Sequence, residues 1–330
     1  MIKVYSNYFG GLTDITMFCK TVQWSGDKSQ VARKIDVTLA YAIFGRNQPN
    51  TQISPGTMVW LVDDTEGEIF RGIVFVRSLN SNQELQFTAY DFLIYFLKSK
   101  ATYNFRNTTA EAITAKVCQE VGVSVGNLEP TDVSISLLAS NKTLYDIIMQ
   151  AYTYASYSTG KQYFLLMDGT RLNCIKKGKN LINFTLDTNA NLINAVYDDS
   201  IEQMINKVKI YNSKKEFTGQ VVENKDWQNH YGILQDTYTI NKSKNTLVEA
   251  SILLKGMEQE VEATALGNVN VITGTAVKTN IFYVSVLQNA TWYVDTDIHT
   301  WEIGTNKYTM KLNLKSENLM DMKEGKVDGE

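Results

Sequence analysis

The chain has 330 residues, of which 44% are hydrophobic and 20% are charged, with a formal net charge of −3. This apolar content supports a packed core and excludes wholesale disorder, and the lack of a basic excess argues against a nucleic-acid-binding surface. Only three prolines are present, which excludes Pro-rich linkers. The length predicts about two domains.

The first hundred residues are predicted to be strands. Short runs with period-two alternation are separated by turn residues, and they cover Ile35–Tyr41, Met58–Val62, Ile69–Val76 and Glu84–Tyr90. Gly72 lies inside one run and predicts a bulge or a bend. We therefore expect residues 1–100 to form an antiparallel sandwich or small β-barrel.

Residues 101–178 change to a mixed pattern. A cap at Asn107–Thr109 begins a helix that Gly122 ends, and a second helix runs from Lys142–Thr143 towards Gly160. A hairpin follows, with Asp168–Gly169 as its predicted two-residue turn. These features predict a small α+β domain that ends near residues 176–180.

Residues 179–315 return to strands. The predicted strands are Val196–Tyr197, Lys207–Tyr211, Val269–Thr273, Ile281–Leu287, Trp292–Ile298 and Tyr308–Leu314. A helix is predicted from Asn245–Thr246 to Leu266, inside an inserted loop and helix region of about residues 216–267. The charged tail, residues 316–330, is expected to be mobile or ordered by a partner.

Two segments share a local pattern that predicts an internal repeat. Gly56–Val59 reads Gly-Thr-Met-Val and Gly274–Val277 reads Gly-Thr-Ala-Val, and each begins a strand. Two further strands follow each segment, with the last beginning 31 residues after the first glycine and 34 residues after the second. The repeat predicts two copies of one β-barrel in the chain.

Chemical motifs are scarce, so no catalytic, cofactor-binding or metal-binding residues are predicted. The metalloprotease HExxH, the hydrolase GxSxG and the P-loop patterns do not occur. Asp295–Asp297 resembles the start of a calcium loop without its remaining ligands, and we interpret it as a turn at a strand end. His299 is predicted to be half-buried and hydrogen-bonded at a sheet edge.

The three cysteines are far apart and form no C-x-x-C pair. Cys19, Cys118 and Cys174 are therefore predicted to be small buried residues in a reducing compartment, not a disulfide scaffold or zinc ribbon. The N-terminal segment lacks the apolar core of a signal peptide, and no window approaches 18 uncharged apolar residues. We expect a protein that is made in the cytoplasm and does not span a membrane.

One polar stretch, residues 223–232, carries aromatic side chains that form the candidate site. Trp227, His230 and Tyr231 in this stretch either anchor a protein contact or pin the loop onto its own domain. The sequence alone leaves both readings open.

Several segments together resemble the baseplate hub of contractile phage tails. The N-terminal ones are Phe70–Val74, Phe87–Leu93 and Ser99–Phe105, and the C-terminal ones are Asn206–Tyr211, His230–Gln235, Trp292–His299 and Tyr308–Leu312. Their order is similar to that in the hubs of Gram-positive prophage-like elements and R-type bacteriocins. The C-terminal ending is shared with the broader late control protein D family.

The resemblance implies a mainly β, α+β fold with two tube-type antiparallel β-barrels. A small α+β domain would lie between them, and a helix would belong to the second barrel region. It implies a non-enzymatic homotrimer that joins a sixfold tail tube to a threefold spike and forms part of the central channel. The implied partners are tail tube protein, spike protein, tape-measure protein, a LysM-bearing adaptor and baseplate wedge proteins, with no cofactor.

Two alternatives from other classes remain at this point. One is a cell-wall hydrolase of the same apparatus, and the other is a carbohydrate-binding tail component. If a channel is present, its lining is expected to be polar, because a passing chain must slide past it.

Overall fold

The computed structural model describes residues 2–8, 11–42, 52–240 and 246–323. Within them the fold is mainly β, with antiparallel pairing dominant and five α-helices. The predicted mainly β, α+β class is confirmed.

The first part of the chain is a run of strands that bury alternate residues. The strands are β1 (Ile2–Tyr8), β2 (Gly11–Asp14), β3 (Cys19–Asp27), β4 (Lys34–Ala40), β5 (Met58–Asp63), β6 (Gly67–Asn80) and β7 (Glu84–Tyr90). On β4, Ile35, Val37 and Leu39 are buried, whereas Asp36 and Thr38 are only partly buried. This period-two burial is the signal that predicted the four strands, and all four are present.

Gly72 marks a close approach of two strands. Gly72 pairs regularly with Val59, and a Cβ at this position would lie 2.3 Å from the Tyr90 carbonyl oxygen. The bulge in the pairing of β6 with β7 lies at Phe75 and not at Gly72, because the register shifts between Val74 and Val76.

The middle of the chain combines helices and short sheets as predicted. Its elements are α1 (Leu93–Lys98), β8 (Lys100–Thr108), α2 (Ala110–Glu120), β9 (Ser124–Leu128), β10 (Ile135–Thr143), α3 (Leu144–Thr159), β11 (Tyr163–Asp168) and β12 (Arg171–Lys176). The Thr143 side chain caps α3, and Gly160 ends it in the left-handed conformation. The hairpin turn is one residue later than predicted, because Asp168 still pairs with Arg171.

The remaining elements include two corrections. They are β13 (Leu181–Asp187), β14 (Leu192–Ser200), β15 (Lys207–Tyr211), β16 (Phe217–Glu223), α4 (Lys225–Tyr231), β17 (Gln235–Thr239), α5 (Thr246–Ile252), β18 (Glu258–Leu266), β19 (Ala276–Asn280), β20 (Gln288–Glu302) and β21 (Lys307–Lys315). The helix predicted from 245 to 266 is wrong beyond residue 252. Val261, Ala263 and Ala265 alternate as buried residues, which makes β18 a strand despite its helix-forming Ala and Glu content.

Two predicted strands are also wrong. Residues 269–273 contain a turn, and residues 281–287 form a turn and a 3-10 helix. Both segments have apolar residues at strand-like spacing. Their apolar side chains are nevertheless buried, as Val271, Ile281 and Leu287 show.

The predicted internal repeat appears in the sheet topology. The first copy has the strand order β3-β4-β7-β6-β5-β1, and the second has the matching order β14-β18-β21-β20-β19-β13. The copies differ in one pairing, since β1 and β5 are antiparallel whereas β13 and β19 are parallel.

The Gly-Thr turns repeat in atomic detail. Gly56 N donates to Val74 O at 2.8 Å, and Val74 N donates to Thr57 O at 2.9 Å. In the second copy Gly274 N donates to Val294 O, and Val294 N donates to Thr275 O, both at 3.0 Å. Both glycines have a φ of about +90°, which favours glycine.

The same register shift follows each turn. In β20 it lies between Val294 and Thr296, so Asp295 occupies the bulge position that Phe75 has in β6. Because β20 pairs with β21 in the same way as β6 pairs with β7, each residue of β20 in this region has an equivalent residue in β6. Among the described strands, the first and last strands of each copy do not pair with each other, so neither copy forms a closed barrel and the two-barrel arrangement remains a prediction.

The chain folds into two compact units. The first contains the described residues up to Ala195 and those from Glu262 onward. The second, Val196–Val261, contains the three-stranded sheet β16-β15-β17 and the helices α4 and α5. Its small core contains the buried residues Val208, Ile210 and Ala250.

The start of the charged tail is packed within the first unit. Met320 is buried in the same core as α1, α2 and α3, and its backbone N–H donates to the Gln162 side chain at 2.9 Å. Tyr145 donates to the Asp321 carboxylate at 2.8 Å. The prediction that the tail begins to be mobile at residue 316 is therefore wrong for residues 316–323, and residues 324–330 lie outside the described chain.

Candidate assembly interface

The two copies of the repeat are joined edge to edge within the chain. Strand β3 of the first copy pairs antiparallel with the second half of β20, from Thr21 opposite Glu302 to Asp27 opposite Thr296. The two copies therefore share one sheet of 13 strands.

A buried ion pair holds this join. Arg33, which precedes β4, donates to both oxygens of Asp297 on β20, at 2.8 and 2.5 Å. The Thr273 backbone N–H and hydroxyl each donate to Asp297 Oδ1 at 2.7 Å. Burial alone would raise the pKa of Asp297, but the Arg33 charge and the hydrogen bonds from Arg33 and His299 hold that pKa well below its usual range.

His299 lies beside this pair in the centre of the sheet. The side chain is fully buried, with Nδ1 at 2.8 Å from the Tyr308 hydroxyl and Nε2 at 3.1 Å from the Val271 carbonyl oxygen. Its ring centroid is 5.2 Å from that of Trp24 on β3. The predicted hydrogen bonding of His299 is confirmed, but its predicted half-burial at a sheet edge is wrong, because β20 has strand neighbours on both sides here.

Asp295 occupies the bulge and binds two lysines. Lys177 Nζ lies 2.7 Å from one carboxylate oxygen, and Lys28 contacts the other. Lys177 is fully buried, and burial lowers its pKa against the opposing effect of Asp295. Asp295 and Asp297 thus lie inside a strand and pair with cations, so the interpretation of this segment as a strand-end turn is wrong. Over the described ranges, no cluster of three or more His, Cys, Asp or Glu residues is arranged to hold a metal ion.

A second buried carboxyl, Asp91, ends the first copy. Its oxygens accept the backbone N–H groups of Arg33 at 3.2 Å and Leu93 at 3.0 Å. Burial raises the pKa of Asp91 to about 7, although both hydrogen bonds and the Arg33 charge oppose the shift.

In the first copy, the second half of β6 is equivalent to the half of β20 that pairs with β3, but among the described strands it has no such partner on that side. By the shared register, residues 76–80 of β6 correspond to residues 296–300 of β20, where β3 is paired. Among the described strands β6 pairs with β5 and β7, and β5 covers only residues 67–73. The uncovered half exposes apolar side chains, with Val76 at 55% and Leu79 at 43% of their areas.

The matching free edge lies on β14, which corresponds to β3. Among the described strands β14 pairs with β18, whereas β3 pairs with both β4 and β20. Ile193 and Val196 on β14 are 56% and 49% exposed. Among the described residues, the chain therefore has two partly apolar strand edges with no strand neighbour, and they correspond to the two edges joined inside the chain.

On four strands, β3, β4, β7 and β21, the face of the sheet opposite the core is polar. On these strands, buried apolar residues alternate with outward-facing polar residues, which are Gln23, Ser25, Asp36, Thr38, Gln86, Thr88, Lys311 and Asn313. Some are tied together, since the Thr88 hydroxyl donates to Asp36 at 2.5 Å.

The sequence-predicted site residues lie on a helix, not in a loop. Trp227, His230 and Tyr231 belong to α4, which Asn224 caps. Trp227 packs within its own unit, since a Cβ on Gly256 would lie 3.1 Å from its ring. His230 Nδ1 lies 2.8 Å from the Asp226 carbonyl oxygen, and Tyr231 is 41% exposed. Trp227 therefore packs against its own unit, whereas His230 and Tyr231 are exposed, and a protein contact at this stretch stays a prediction.

The three cysteines are buried and unpaired, as predicted. Cys118 and Cys174 have no exposed area and Cys19 has 6%. Burial raises the pKa of Cys19 and of Cys118 to about 12. Among the described residues, no helix combines the length and the apolar character needed to cross a bilayer.

Comparisons with known proteins agree with this architecture. The chain is 28% identical over 319 residues to phage-like element PBSX protein XkdQ of Bacillus subtilis, covering 93% of this chain and 95% of that protein. Its fold is similar to the prophage MuSo2 43 kDa tail protein of Shewanella oneidensis (TM-score 0.70, 13% identity, 94% and 98% of the two chains).

A tail protein of Neisseria meningitidis is also similar in fold, with a TM-score of 0.67, 14% identity and 96% and 97% coverage of the two chains. The resemblance to prophage-like tail proteins that the sequence predicted is thereby confirmed. The sequence also matches the YQBQ-like family over residues 22–315. The chain therefore belongs to the YQBQ-like family.

Proposed function

We propose that this protein is a structural subunit of the baseplate of a phage-type contractile tail or R-type bacteriocin. The chain is similar to a phage-like element protein and, in fold, to two tail proteins, and the protein is not an enzyme. Within the baseplate it acts as the hub, a trimeric ring between the tail tube and the spike. The observation that carries this proposal is the duplicated strand unit joined edge to edge by β3 and β20.

The duplication supports a ring of six equivalent units from three chains. Each chain supplies two tube-type domains, and repetition of the same edge pairing closes the ring without free edges. Such a ring has true threefold symmetry and approximate sixfold symmetry. It therefore matches a sixfold tube on one side and a threefold spike on the other.

The strand count sets the width of the proposed channel. In the proposed wall each copy contributes four strands, β3-β4-β7-β6 in the first and β14-β18-β21-β20 in the second. Two copies per chain and three chains then make about 24 strands, with a perimeter of about 115 Å at ~4.8 Å per strand. Opposite backbones would then lie about 37 Å apart before strand tilt, and side chains would narrow the opening by about 10 Å. Several α-helices, each about 10–12 Å wide, fit through such a channel.

The polar face of the sheet suits the channel lining. Its Gln, Ser, Thr, Asn and charged side chains offer no large apolar patch to which a passing chain would adhere. The proposed partners are therefore the tape-measure protein in the channel, the tail tube above and the spike below.

Outer contacts are assigned to the LysM-bearing adaptor and to the wedge proteins. His230 and Tyr231 on α4 offer an exposed aromatic surface for one of these proteins. The protein is made in the bacterial cytoplasm and is assembled there into the particle.

The test is the mass of the purified protein by light scattering, with negative-stain images of the same sample. The protein is measured alone and after addition of its tube and spike proteins. A mass of three chains and a ring in at least one sample is the expected result. A monomer in every sample, with no ring, would refute the hub and return attention to a carbohydrate-binding tail component.

A further inference from the structure

We propose that one face of the sheet β16-β15-β17 binds an acidic segment of a partner protein that also carries aromatic side chains. This surface, which we call the basic face, belongs to the second unit and lies on the side of the sheet opposite α5. The inference does not depend on the trimeric ring. It adds a binding surface to the protein and states the chemistry of the partner that fits it.

Alternation along β15 separates the two sides of the sheet. Val208 and Ile210 are buried and share a core with Ala250 of α5, so the alternate residues of β15 lie on the other side. Strand pairing then defines the basic face as three rows of side chains, which are Glu223, Lys207 and Gln235, then Val221, Lys209 and Thr237, then Phe217, Tyr211 and Thr239.

An exposed aromatic pair lies at one end of the basic face. Phe217 is 49% exposed, and its ring centroid lies 5.8 Å from that of the partly buried Tyr211. Lys209 Nζ lies over the Phe217 ring, 5.7 Å from its centroid. Covering an exposed ring in a complex removes apolar surface from water, and aromatic side chains often anchor protein interfaces in this way.

The basic face is positively charged beside this pair. Residues 207–223 carry four lysines and two glutamates, and the β17 residues of the face are uncharged. Lys214 and Lys215 are exposed in the turn that joins β15 to β16, between Tyr211 and Phe217 in the chain. Glu223, at the far end of the face, lies 3.8 Å from Lys207. The excess positive charge therefore lies at the aromatic end, where it would attract carboxylates.

Charge and ring geometry together favour a protein segment over a nucleic acid. Both are negatively charged ligands, but base stacking needs an open and flat aromatic surface. The Tyr211 and Phe217 rings are tilted by 53° to each other, and Lys209 lies over one of them, so they do not form such a surface. Carboxylates can instead pair with the lysines while an aromatic side chain of the same segment packs on Phe217.

The test is fluorescence anisotropy of the full-length protein with a labelled random copolymer of glutamate and tyrosine as the probe. The test variants are K214E/K215E and F217S, and the matched control is K100E/K278E, which reverses two exposed lysines of the first unit. Each test variant is expected to weaken binding at least about fivefold, and the control less than about twofold. Binding should also weaken as NaCl is raised from about 50 to about 500 mM, because salt screens exposed charges.

Two other probes identify the kind of ligand. Polyglutamate is expected to bind more weakly than the copolymer, because it has no ring to pack on Phe217. A single-stranded oligothymidylate of about 20 nucleotides is expected to bind more weakly still. Melting temperatures of all variants are measured in parallel, and K214E/K215E alters only exposed turn side chains, so it decides the question even if F217S unfolds.

Three results would overturn the proposal. The first is no binding of the copolymer by the wild-type protein, and the second is K214E/K215E binding as the control does. The third is tighter binding of the oligothymidylate than of the copolymer, lost in the same variants, which would identify a nucleic-acid surface instead.

Discussion

The buried ion pair at the internal join offers a quantitative test of the fold. Replacing Asp297 by Asn keeps the side-chain shape but removes the charge that faces Arg33. The Arg33 side chain is only 7% exposed and the Asp297 side chain not at all, so solvent screens the pair very little. Removing one partner of such a pair is expected to cost about 3–5 kcal/mol, because an uncompensated charge stays buried.

The assay is urea unfolding at pH 7, followed by tryptophan fluorescence, since Trp24 lies directly under the Arg33 guanidinium at 4.0 Å. The control is Glu262→Gln, which breaks the exposed pair with Lys311 and should cost less than about 1 kcal/mol. Because the pKa of Asp297 is lowered in the folded state, its contribution to stability is fully present above the pKa of an unfolded carboxylate, near 4, and is lost progressively as the pH falls below that value. A loss for Asp297→Asn no larger than that of the control would refute the reasoning.

Three further changes test other parts of the structure. Because the pKa of Asp91 is raised to about 7, the folded state holds a proton that the unfolded state releases near 4, so this group lowers stability by up to about 4 kcal/mol as pH rises from 4 to 7. Asp91→Asn should remove that slope in urea unfolding at a series of pH values, and equal slopes would contradict the assignment. Gly72→Ala should destabilise by about 1–3 kcal/mol, because the new Cβ meets a β7 carbonyl oxygen, whereas Gly11→Ala, with open space around it, serves as the control in the same assay. Met320→Ala should cost about 2–5 kcal/mol in thermal unfolding if the tail is part of the core, and an unchanged melting temperature would indicate that it is not.

Local patterns predicted the elements in which sequence and packing agree. The four strands between residues 35 and 90 alternate cleanly, and α3 has both a threonine cap and a terminal glycine. The repeated Gly-Thr turn was visible because both copies need a glycine with positive φ at the same point. Each of these signals lies within about a dozen residues of sequence.

The errors arose where distant partners decide the structure. Residues 258–266 have a helical composition, but pairing in the sheet makes them a strand. The Arg33–Asp297 pair joins residues 264 positions apart, so no local motif predicts it. The available signal was the period-two series Asp297, His299, Trp301, which places polar groups on the core face of a long strand.

The most direct test of the account is a cryo-electron microscopy map of the assembled ring at a resolution that separates strands. The account predicts three chains, six equivalent strand units and an unbroken inner wall. A ring with another number of chains, or a wall interrupted between chains, would contradict it.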